Sequence, residues 1–194
     1  MFAYLKGTFT LKTPTVVHVD VHGVGYEVQV SLNTYGKIQH LNEGTLYTHL
    51  LVREDAHILY GFFEKVEKEV FLQLLSVSGV GASTARMMLS SLQPEEVVRA
   101  ILSGNEVLLE SVKGIGKKTA QRIVLELRDK ISKTTTDGNI STLTHNTLEQ
   151  DALTAMTALG IARNAAESAI KKARQTNTEF DQVQELIKAA LKCL

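Results

Sequence analysis

The stretch LLESVKGIGKKTAQRIVLELRDK, residues 108–130, decides the fold of the central part of the chain. It predicts a short helix, a tight turn at Gly114-Ile115-Gly116 and a longer amphipathic helix that begins near Lys117. Glycine suits a turn that needs a positive φ and a close approach of the backbone to a ligand. The unpaired N–H groups at the start of the second helix lie at its positive dipole end, and together they favour a bound phosphate.

Polar side chains directly after this turn match a phosphate site. Three of them, Lys117, Lys118 and Arg122, supply positive charge, and Thr119 supplies a hydroxyl donor. One G-x-G hairpin is as often a plain bend between two helices, so this copy alone leaves both interpretations open. The candidate phosphate-binding residues of this copy are Gly114, Ile115, Gly116, Lys117, Lys118, Thr119 and Arg122.

A second copy of the pattern lies 35 residues upstream, in LLSVSGVGASTARMMLS, residues 74–90. With this offset Gly79-Val80-Gly81 aligns with Gly114-Ile115-Gly116. An internal repeat is more specific than one copy, and the doubled pattern resembles the helix-hairpin-helix DNA-binding motif. The first copy carries less charge, so its contacts would depend more on backbone N–H groups. Its candidate residues are Gly79, Val80, Gly81, Ser83, Thr84 and Arg86.

The composition is that of an ordinary globular chain of 194 residues, with 44% apolar and 22% charged residues and a formal net charge of zero. A neutral chain is not a general polycation, so DNA binding would need several subunits acting together. The start of the sequence lacks a signal-peptide pattern, and no apolar run reaches the length of a membrane span. The single cysteine, Cys193, excludes an internal disulfide and a cysteine-based metal site. We expect a cytoplasmic protein with no metal, no cofactor and no membrane partner.

Alternating apolar and polar residues predict short strands in residues 1–63, for example at Val17, Val19 and Val21. Five or six strands in so short a segment are typical of a small closed barrel, of which the OB-fold is the common five-stranded form. Many OB-folds bind single strands by stacking bases on aromatic side chains. This chain has no Trp and few aromatic residues, so we do not expect a stacking platform.

Two acidic residues, Glu54 and Asp55, fall between the last two predicted strands. Adjacent carboxylates at a hairpin tip are most often part of a solvated turn. No neighbouring group in the sequence would tune them for acid–base catalysis. They are also weak candidates for metal binding.

From residue 64 the pattern changes to a helical period, and residues 64–132 predict about five helices that include the two hairpins. Residues 133–146 are rich in Thr, Asn and Gly, which is typical of a flexible linker. Residues 147–194 predict a three-helix module with balanced charge. Such a module more often docks a protein than binds DNA, and the alternative is that it packs back onto the main body. Its candidate docking residues are Leu148, Met156, Leu159, Ile161, Ile187 and Leu191.

Three stretches resemble the RuvA family: VREDAHILYGF (52–62), SGVG (78–81) and KGIGKKTAQRIVLELRDK (113–130). The order of the domains resembles that family nearly end to end. The resemblance implies a non-catalytic subunit that binds four-way Holliday junctions in recombination, DNA repair and the SOS response. It also implies a flat homotetramer, as one tetramer or as two stacked ones, that holds the junction open and square.

The resemblance further implies roles for particular segments. The two hairpins would hold the duplex arms through phosphate contacts, and the first departs from the lysine-bearing form of the family at Ala82-Ser83. The pair Glu54 and Asp55 would form an acidic pin at the junction centre that repels phosphates and helps to part the strands. The C-terminal module would bind the hexameric ATPase RuvB, which drives branch migration, and the RuvC resolvase would join the full complex.

Two other classes of protein use the same hairpin motif. A DNA glycosylase of this type needs a catalytic Asp downstream of the hairpin in a folded helical body, and the only nearby candidates are Asp129, within the helix, and Asp137, in the linker. The sequence has no carboxylate cluster that suggests a two-metal nuclease, and Gly-Ile-Gly-Lys-Lys-Thr lacks the Walker spacing for ATP. A non-catalytic accessory subunit of a repair nuclease is the second alternative, and it would not prefer four-way junctions over branched or nicked duplex.

Overall fold

The alternating residues at the N-terminal end form a closed five-stranded barrel in the computed structural model of the chain. Its strand order is β1-β2-β3-β5-β4, and β1 pairs with β4 to close the sheet. All neighbouring strands are antiparallel except β3 and β5, which are parallel. The predicted OB-like barrel is therefore confirmed. The strands are β1 (Tyr4–Lys12), β2 (Val16–Val21), β3 (Val24–Val30), β4 (Glu43–Val52) and β5 (His57–Phe62).

The structure describes residues 2–136, 148–176, 180 and 182–194. The chain divides into two compact units, Met1–Asn139 and Ile140–Leu194. In the described ranges, no helix combines the length and the apolar character that crossing a membrane requires.

A short helix, α1 (Leu32–Ile38), connects β3 to β4 and is not predicted by the sequence pattern. Ser31 caps its start, because the Ser31 hydroxyl oxygen accepts a hydrogen bond from the Thr34 N–H at 3.0 Å. Ile38 is buried in the barrel core at its end. Seven residues make only about two turns, which is too short for a helical period to stand out in the sequence.

Five helices follow the barrel, as the sequence predicts. Pro94 occupies the first position of α4, and the Glu96 carboxylate accepts a hydrogen bond from the Gln93 N–H at 2.9 Å. Gly104 ends α4 with a φ of +70°, and the side chain of Asn105 caps the next helix. The helices are α2 (Lys65–Leu75), α3 (Ala82–Ser91), α4 (Pro94–Ser103), α5 (Glu106–Glu110) and α6 (Lys117–Thr136).

The last of these helices, α6, runs past its predicted end at residue 132 and reaches Thr136. After residue 132, the first residue with a strong preference against helix in the sequence is Gly138. The predicted linker, residues 133–146, therefore begins with the last turn of α6, and its residues 137–146 lie outside the described residues.

Polar contacts attach α3 to the barrel. The Arg86 guanidinium donates to the backbone carbonyl of Thr15 at 3.2 Å and to the side-chain oxygen of Gln29. From the other side, the Asn33 amide donates to the backbone carbonyl of Leu92 at 2.9 Å. Because these contacts join residues more than 50 positions apart, the barrel and the helices form one unit rather than two independent domains.

A buried carboxylate, Glu67, makes a second attachment between the barrel and the helices. It is 1% exposed and accepts hydrogen bonds from the hydroxyls of Ser31 and Thr34, the latter at 2.7 Å. The Thr34 hydroxyl in turn accepts from the Phe63 N–H at 3.0 Å. Burial raises the pKa of Glu67 above its ordinary value, against the two hydroxyl hydrogen bonds, which lower it.

In its described residues the C-terminal unit has three helices, in agreement with the sequence pattern. Small and apolar side chains pack between them, with Ala152, Met156, Ala169 and Leu186 in the core. Arg174 forms an ion pair with Glu149 at 3.1 Å that joins α8 to α7. The helices are α7 (Leu148–Ala158), α8 (Arg163–Thr176) and α9 (Val183–Leu191).

Candidate nucleic-acid interface

The second hairpin is built by a turn between α5 and α6. The Ile115 N–H donates to the Val112 carbonyl at 3.0 Å and closes the turn, and Gly114 has a φ of +94°. A residue with a side chain would be strained there. The side chains of Val112 and Ile115 are buried in the helical core, so the turn is anchored from within.

The first hairpin repeats this geometry between α2 and α3. The Val80 N–H donates to the Val77 carbonyl at 3.1 Å, Gly79 has a φ of +89°, and the side chains of Val77 and Val80 are buried. Each turn has the same closing hydrogen bond and the same positive φ at its first glycine. The internal repeat predicted from the sequence is therefore a repeat of structure.

Val80 and Ile115 are the apolar residues between the two glycines of each turn. Both were included among the candidate phosphate-binding residues, but their side chains are at most 5% exposed and their N–H groups close the turns. The apolar residue between the two glycines is needed as a core anchor, which the sequence pattern alone does not separate from a ligand position. Their buried side chains shape the turn and are not available to a phosphate.

Backbone N–H groups remain open at the start of both helices. In the second hairpin, Thr119 and Ala120 donate to the Gly116 carbonyl at 2.9 Å each. The N–H groups of Gly116, Lys117 and Lys118 precede that first helical bond and have no helical partner. In the first hairpin, the first such bond runs from Ala85 to Gly81 at 2.9 Å, which leaves the N–H groups of residues 81–84 open. Each hairpin thus presents a row of donors at a helix N-terminus, where an anion is favoured.

The two hairpins differ in the side chains beside these donors. Lys117 and Lys118 are exposed, and neither has an ion-pair or hydrogen-bond partner in the part of the chain that the structure describes. In the first hairpin, the corresponding positions hold the buried Ala82 and the exposed Ser83. Half-buried Thr84 and Thr119 follow at equivalent positions. The charge of the interface is therefore concentrated on the second hairpin.

Arg86 is oriented away from the role predicted for it. The sequence makes it the nearest cation to the first hairpin, but its guanidinium is held by Thr15 and Gln29 of the barrel. These two hydrogen bonds set the direction of the Arg86 side chain. In the described part of the chain, the nearest cation of the first hairpin is therefore held by the barrel and is not directed at the phosphate site.

Arg122 lies between the two hairpins. It belongs to α6 of the second hairpin, but its Nη1 donates to the backbone carbonyl of Ser78, in the first hairpin, at 3.2 Å. Its Nε lies 3.8 Å from a carboxylate oxygen of Glu126, one turn further along α6. The sequence pattern identified Arg122 as a cation but gave no sign of the contact with Ser78, because the two residues are 44 positions apart.

The acidic pair Glu54 and Asp55 lies at the tip of the hairpin between β4 and β5, where the sequence places it. The Arg53 N–H donates to the Ala56 carbonyl at 2.8 Å and closes the tip. Both carboxylates are exposed. Among the described residues, no group of three or more His, Cys, Asp or Glu side chains could hold a metal ion.

The six candidate docking residues of the C-terminal unit fall into three groups. Met156 is completely buried in the core and is not available to a partner, which corrects its inclusion. Leu159, 67% exposed, and Leu191, 41% exposed, are open to solvent. The remaining three are half-buried and pack against the core of the unit: Leu148, Ile161 and Ile187.

Comparison with known proteins agrees with this geometry. A family model described as "RuvA N terminal domain" matches residues 1–61, and a model described as "SAM-like Helix-hairpin-helix tandem" matches residues 71–129. A protein of Christiangramia forsetii is 47% identical and one of Flavobacterium psychrophilum is 44% identical, each over the full length of both chains. A protein of Cytophaga hutchinsonii is 42% identical over 99% of each chain. All three relatives are named Holliday junction branch migration complex subunit RuvA.

Proposed function

The chain belongs to the RuvA family, and from this premise we propose that it binds four-way Holliday junctions as a homotetramer and recruits the RuvB ATPase for branch migration. The observation that carries the proposal is the pair of hairpins in one unit, each with a row of open N–H groups at a helix N-terminus. Phosphates on neighbouring positions of one duplex arm are the ligands that such a pair fits. Contacts to phosphates carry no base information, so binding is independent of sequence.

Affinity comes from the number of subunits. Each chain is neutral overall and offers two phosphate sites, which we call grips. They are the open N–H groups at the start of α3 and at the start of α6, and the second is flanked by Lys117 and Lys118. Four subunits offer eight grips around one junction, and each further contact forms at a high effective concentration once the first has formed. A linear duplex engages only a subset of these grips, and this difference gives preference for four arms.

The carboxylates of Glu54 and Asp55 act as the acidic pin in this proposal. They lie at an exposed hairpin tip without an ion-pair partner in the described residues, so their charge is not neutralised within the chain. Four such pairs at the centre of a tetramer repel the phosphates of the crossing strands. This repulsion keeps the junction open and assists strand separation.

The C-terminal unit docks the motor. Leu159, just after the end of α7, and Leu191, at the end of α9, are exposed apolar side chains of this unit, and apolar anchors of this kind bind a groove on a partner. The RuvB hexamer supplies ATP hydrolysis, so the chain itself needs no catalytic site. In the cell we place this complex in the cytoplasm, where RuvC joins it to resolve the junction.

A gel-shift titration tests the proposal. An immobile four-way junction and a linear duplex of equal length and mixed sequence are titrated with the full chain at two salt concentrations. We expect strong preference for the junction, steep weakening with salt, and complexes whose mass corresponds to four or eight subunits. Equal affinity for both DNAs would instead support an accessory subunit of a repair nuclease.

Neutralising the pin separates strand opening from binding. In the double variant Glu54→Gln and Asp55→Asn, we expect junction affinity to stay within about threefold of the unmodified chain, because the pin attracts no phosphate. We expect a change in the opening of the crossover and in the rate of RuvB-driven branch migration, because the repulsion between the pin and the phosphates is lost. The opening is measured by the fluorescence of 2-aminopurine placed beside the crossover.

The outcome of this experiment is decisive for the role of the two acids. Loss of junction binding in the double variant, with an unchanged far-UV circular dichroism spectrum, would mean that they have a structural role. Unchanged 2-aminopurine fluorescence and unchanged migration rate would also remove the pin from the mechanism.

A further inference from the structure

The contact between Arg122 and Ser78 joins the two hairpins directly. Ser78 is the residue before Gly79, so its carbonyl belongs to the turn of the first hairpin. The Arg122 guanidinium reaches this carbonyl at 3.2 Å from the second turn of α6, whose start carries the second grip. One side chain therefore bridges the backbone of one hairpin and the helix of the other.

A second polar contact also joins α6 to the first hairpin. Lys130, further along α6, donates to the Ser76 hydroxyl at 3.4 Å, a length at the weak end for a hydrogen bond. Ser76 ends α2 and is thus the residue from which the first hairpin departs. Between these contacts, Val77 and Val80 share an apolar core with Ile123 of α6. The first hairpin therefore contacts α6 through apolar side chains in the core and through two polar contacts at the surface.

We infer that Arg122 is a positioning residue that holds the turn of the first hairpin against α6 and so fixes the spacing of the two phosphate grips. The inference rests on the proposed function, because spacing matters only if both grips hold the same DNA. Its partner is a backbone carbonyl rather than a side chain. The bond therefore constrains the main chain that presents the N–H groups of the first hairpin.

The first hairpin needs this support more than the second does. Its own cation, Arg86, is committed to the barrel, and Ala82 and Ser83 add no charge. Its grip depends mainly on backbone N–H groups, and such a grip works only if the donors are held in place before DNA arrives. A hydrogen bond from a charged donor is stronger than one between neutral groups, so Arg122 suits the task better than a neutral side chain.

Hydrogen exchange in the free protein tests the positioning role without any DNA. The readout is the amide of Val80, which is protected by its bond to the Val77 carbonyl. In the variant Arg122→Gln, we expect this amide to exchange about tenfold faster, because losing a charged hydrogen bond favours local opening of the turn. The equivalent amide of Ile115, in the second hairpin, is an internal control and keeps its rate.

A matched variant controls for the loss of one positive charge from α6. Arg128 is exposed on the same helix and has no hydrogen-bond or ion-pair partner in the ranges that the structure describes. The variant Arg128→Gln should leave both amides unchanged. Unchanged exchange of Val80 in Arg122→Gln, or equal acceleration in Arg128→Gln, would overturn the inference.

Junction binding supplies the second readout. We expect Arg122→Gln to weaken junction binding about tenfold with the salt dependence unchanged, whereas Lys118→Gln should weaken binding and flatten the salt dependence. A flattened salt dependence in Arg122→Gln would show that Arg122 is a phosphate ligand and would overturn its positioning role. If the unmodified chain bound no junction, the proposed function would fail while the exchange experiment still reported on the bridge.

Discussion

Replacing Lys117 and Lys118 with glutamine is expected to weaken junction binding by roughly 100-fold or more at moderate salt. These two side chains lie directly beside the open N–H groups of the second hairpin and have no partner in the described part of the chain that would compete with DNA. In a tetramer the change removes eight charges beside phosphates. If each charge neutralises one phosphate, the slope of log affinity against log salt becomes shallower by about 7.

A control with the same change in net charge makes the result specific. The double variant Arg128→Gln and Lys171→Gln also removes two charges, but Arg128 lies about three turns along α6 from Lys117 and Lys171 lies on α8, and both are exposed. We expect it to retain junction affinity within about threefold, with little change in salt slope. Equal losses in the two double variants would mean that general charge, rather than the second hairpin, drives binding. Fluorescence anisotropy with a labelled junction at four salt concentrations measures both quantities.

Replacing Glu67 with alanine is expected to destabilise the N-terminal unit by about 3 kcal/mol. The variant removes the acceptor of two buried hydroxyls, those of Ser31 and Thr34, and leaves a cavity between α1 and α2. Thr34 also accepts from the Phe63 N–H, so the loss extends to the end of β5. The matched control is Glu69→Ala, an exposed residue on the same helix, which should change stability by less than about 0.5 kcal/mol.

The measurement is urea unfolding followed by far-UV circular dichroism, because the chain has no Trp to report by fluorescence. Because circular dichroism reports on both compact units of the chain, hydrogen exchange of peptides that cover residues 62–75 assigns the change to the N-terminal unit. If Glu67→Ala unfolded at the same urea concentration as the unmodified chain, the buried hydrogen bonds would carry no net stability.

The pH dependence of stability tests the raised pKa of Glu67. The folded-state pKa lies above the ordinary value of 4.5, because burial disfavours the charged form. The folded state therefore holds its proton more tightly than the unfolded state does. Its contribution to stability is complete below pH 4.5 and is lost as the pH rises through the folded-state pKa. The variant Glu67→Gln lacks this loss, so its stability relative to the unmodified chain should rise with pH above 4.5.

The hairpins and the barrel could be predicted because their signals are local. Gly79 and Gly114 recur at a fixed offset, and each has the positive φ that makes glycine necessary. The strands alternate over six or more residues, which is long enough for a period of two to be seen. No comparable signal marks α1, whose seven residues are held by a cap at Ser31 and by burial of Ile38.

The sequence predicted which helix carries each cation near the hairpins, but it did not predict which residues the side chain contacts. Arg86 and Arg122 are both cations shortly after a hairpin, and the sequence treats them alike. Tertiary packing directs the first into the barrel and the second across to Ser78. Neither partner is near in sequence, and the same is true of Ser31 and Glu67. Such contacts appear only when the folded chain brings distant residues together.

The candidate docking residues of the C-terminal unit show how the end of a helix changes which side chains are exposed. Met156 and Leu159 are three residues apart and would share one face of a continuous helix. However, α7 ends at Ala158, so Leu159 does not continue the helix face on which Met156 lies. Gly160 follows with a φ of +88°. Met156 is consequently in the core, whereas Leu159 is at the surface.

The attachment of α3 to the barrel has a mechanical consequence. Arg86 and Asn33 join the first hairpin's helix to the structure that ends in the β4–β5 tip, and Glu67 joins α2 to the same structure. In the proposed complex, a pull on a duplex arm held by the hairpins would therefore reach the barrel that carries Glu54 and Asp55 through these hydrogen bonds. We expect the work of a motor that draws DNA outward to act on the crossover in this way.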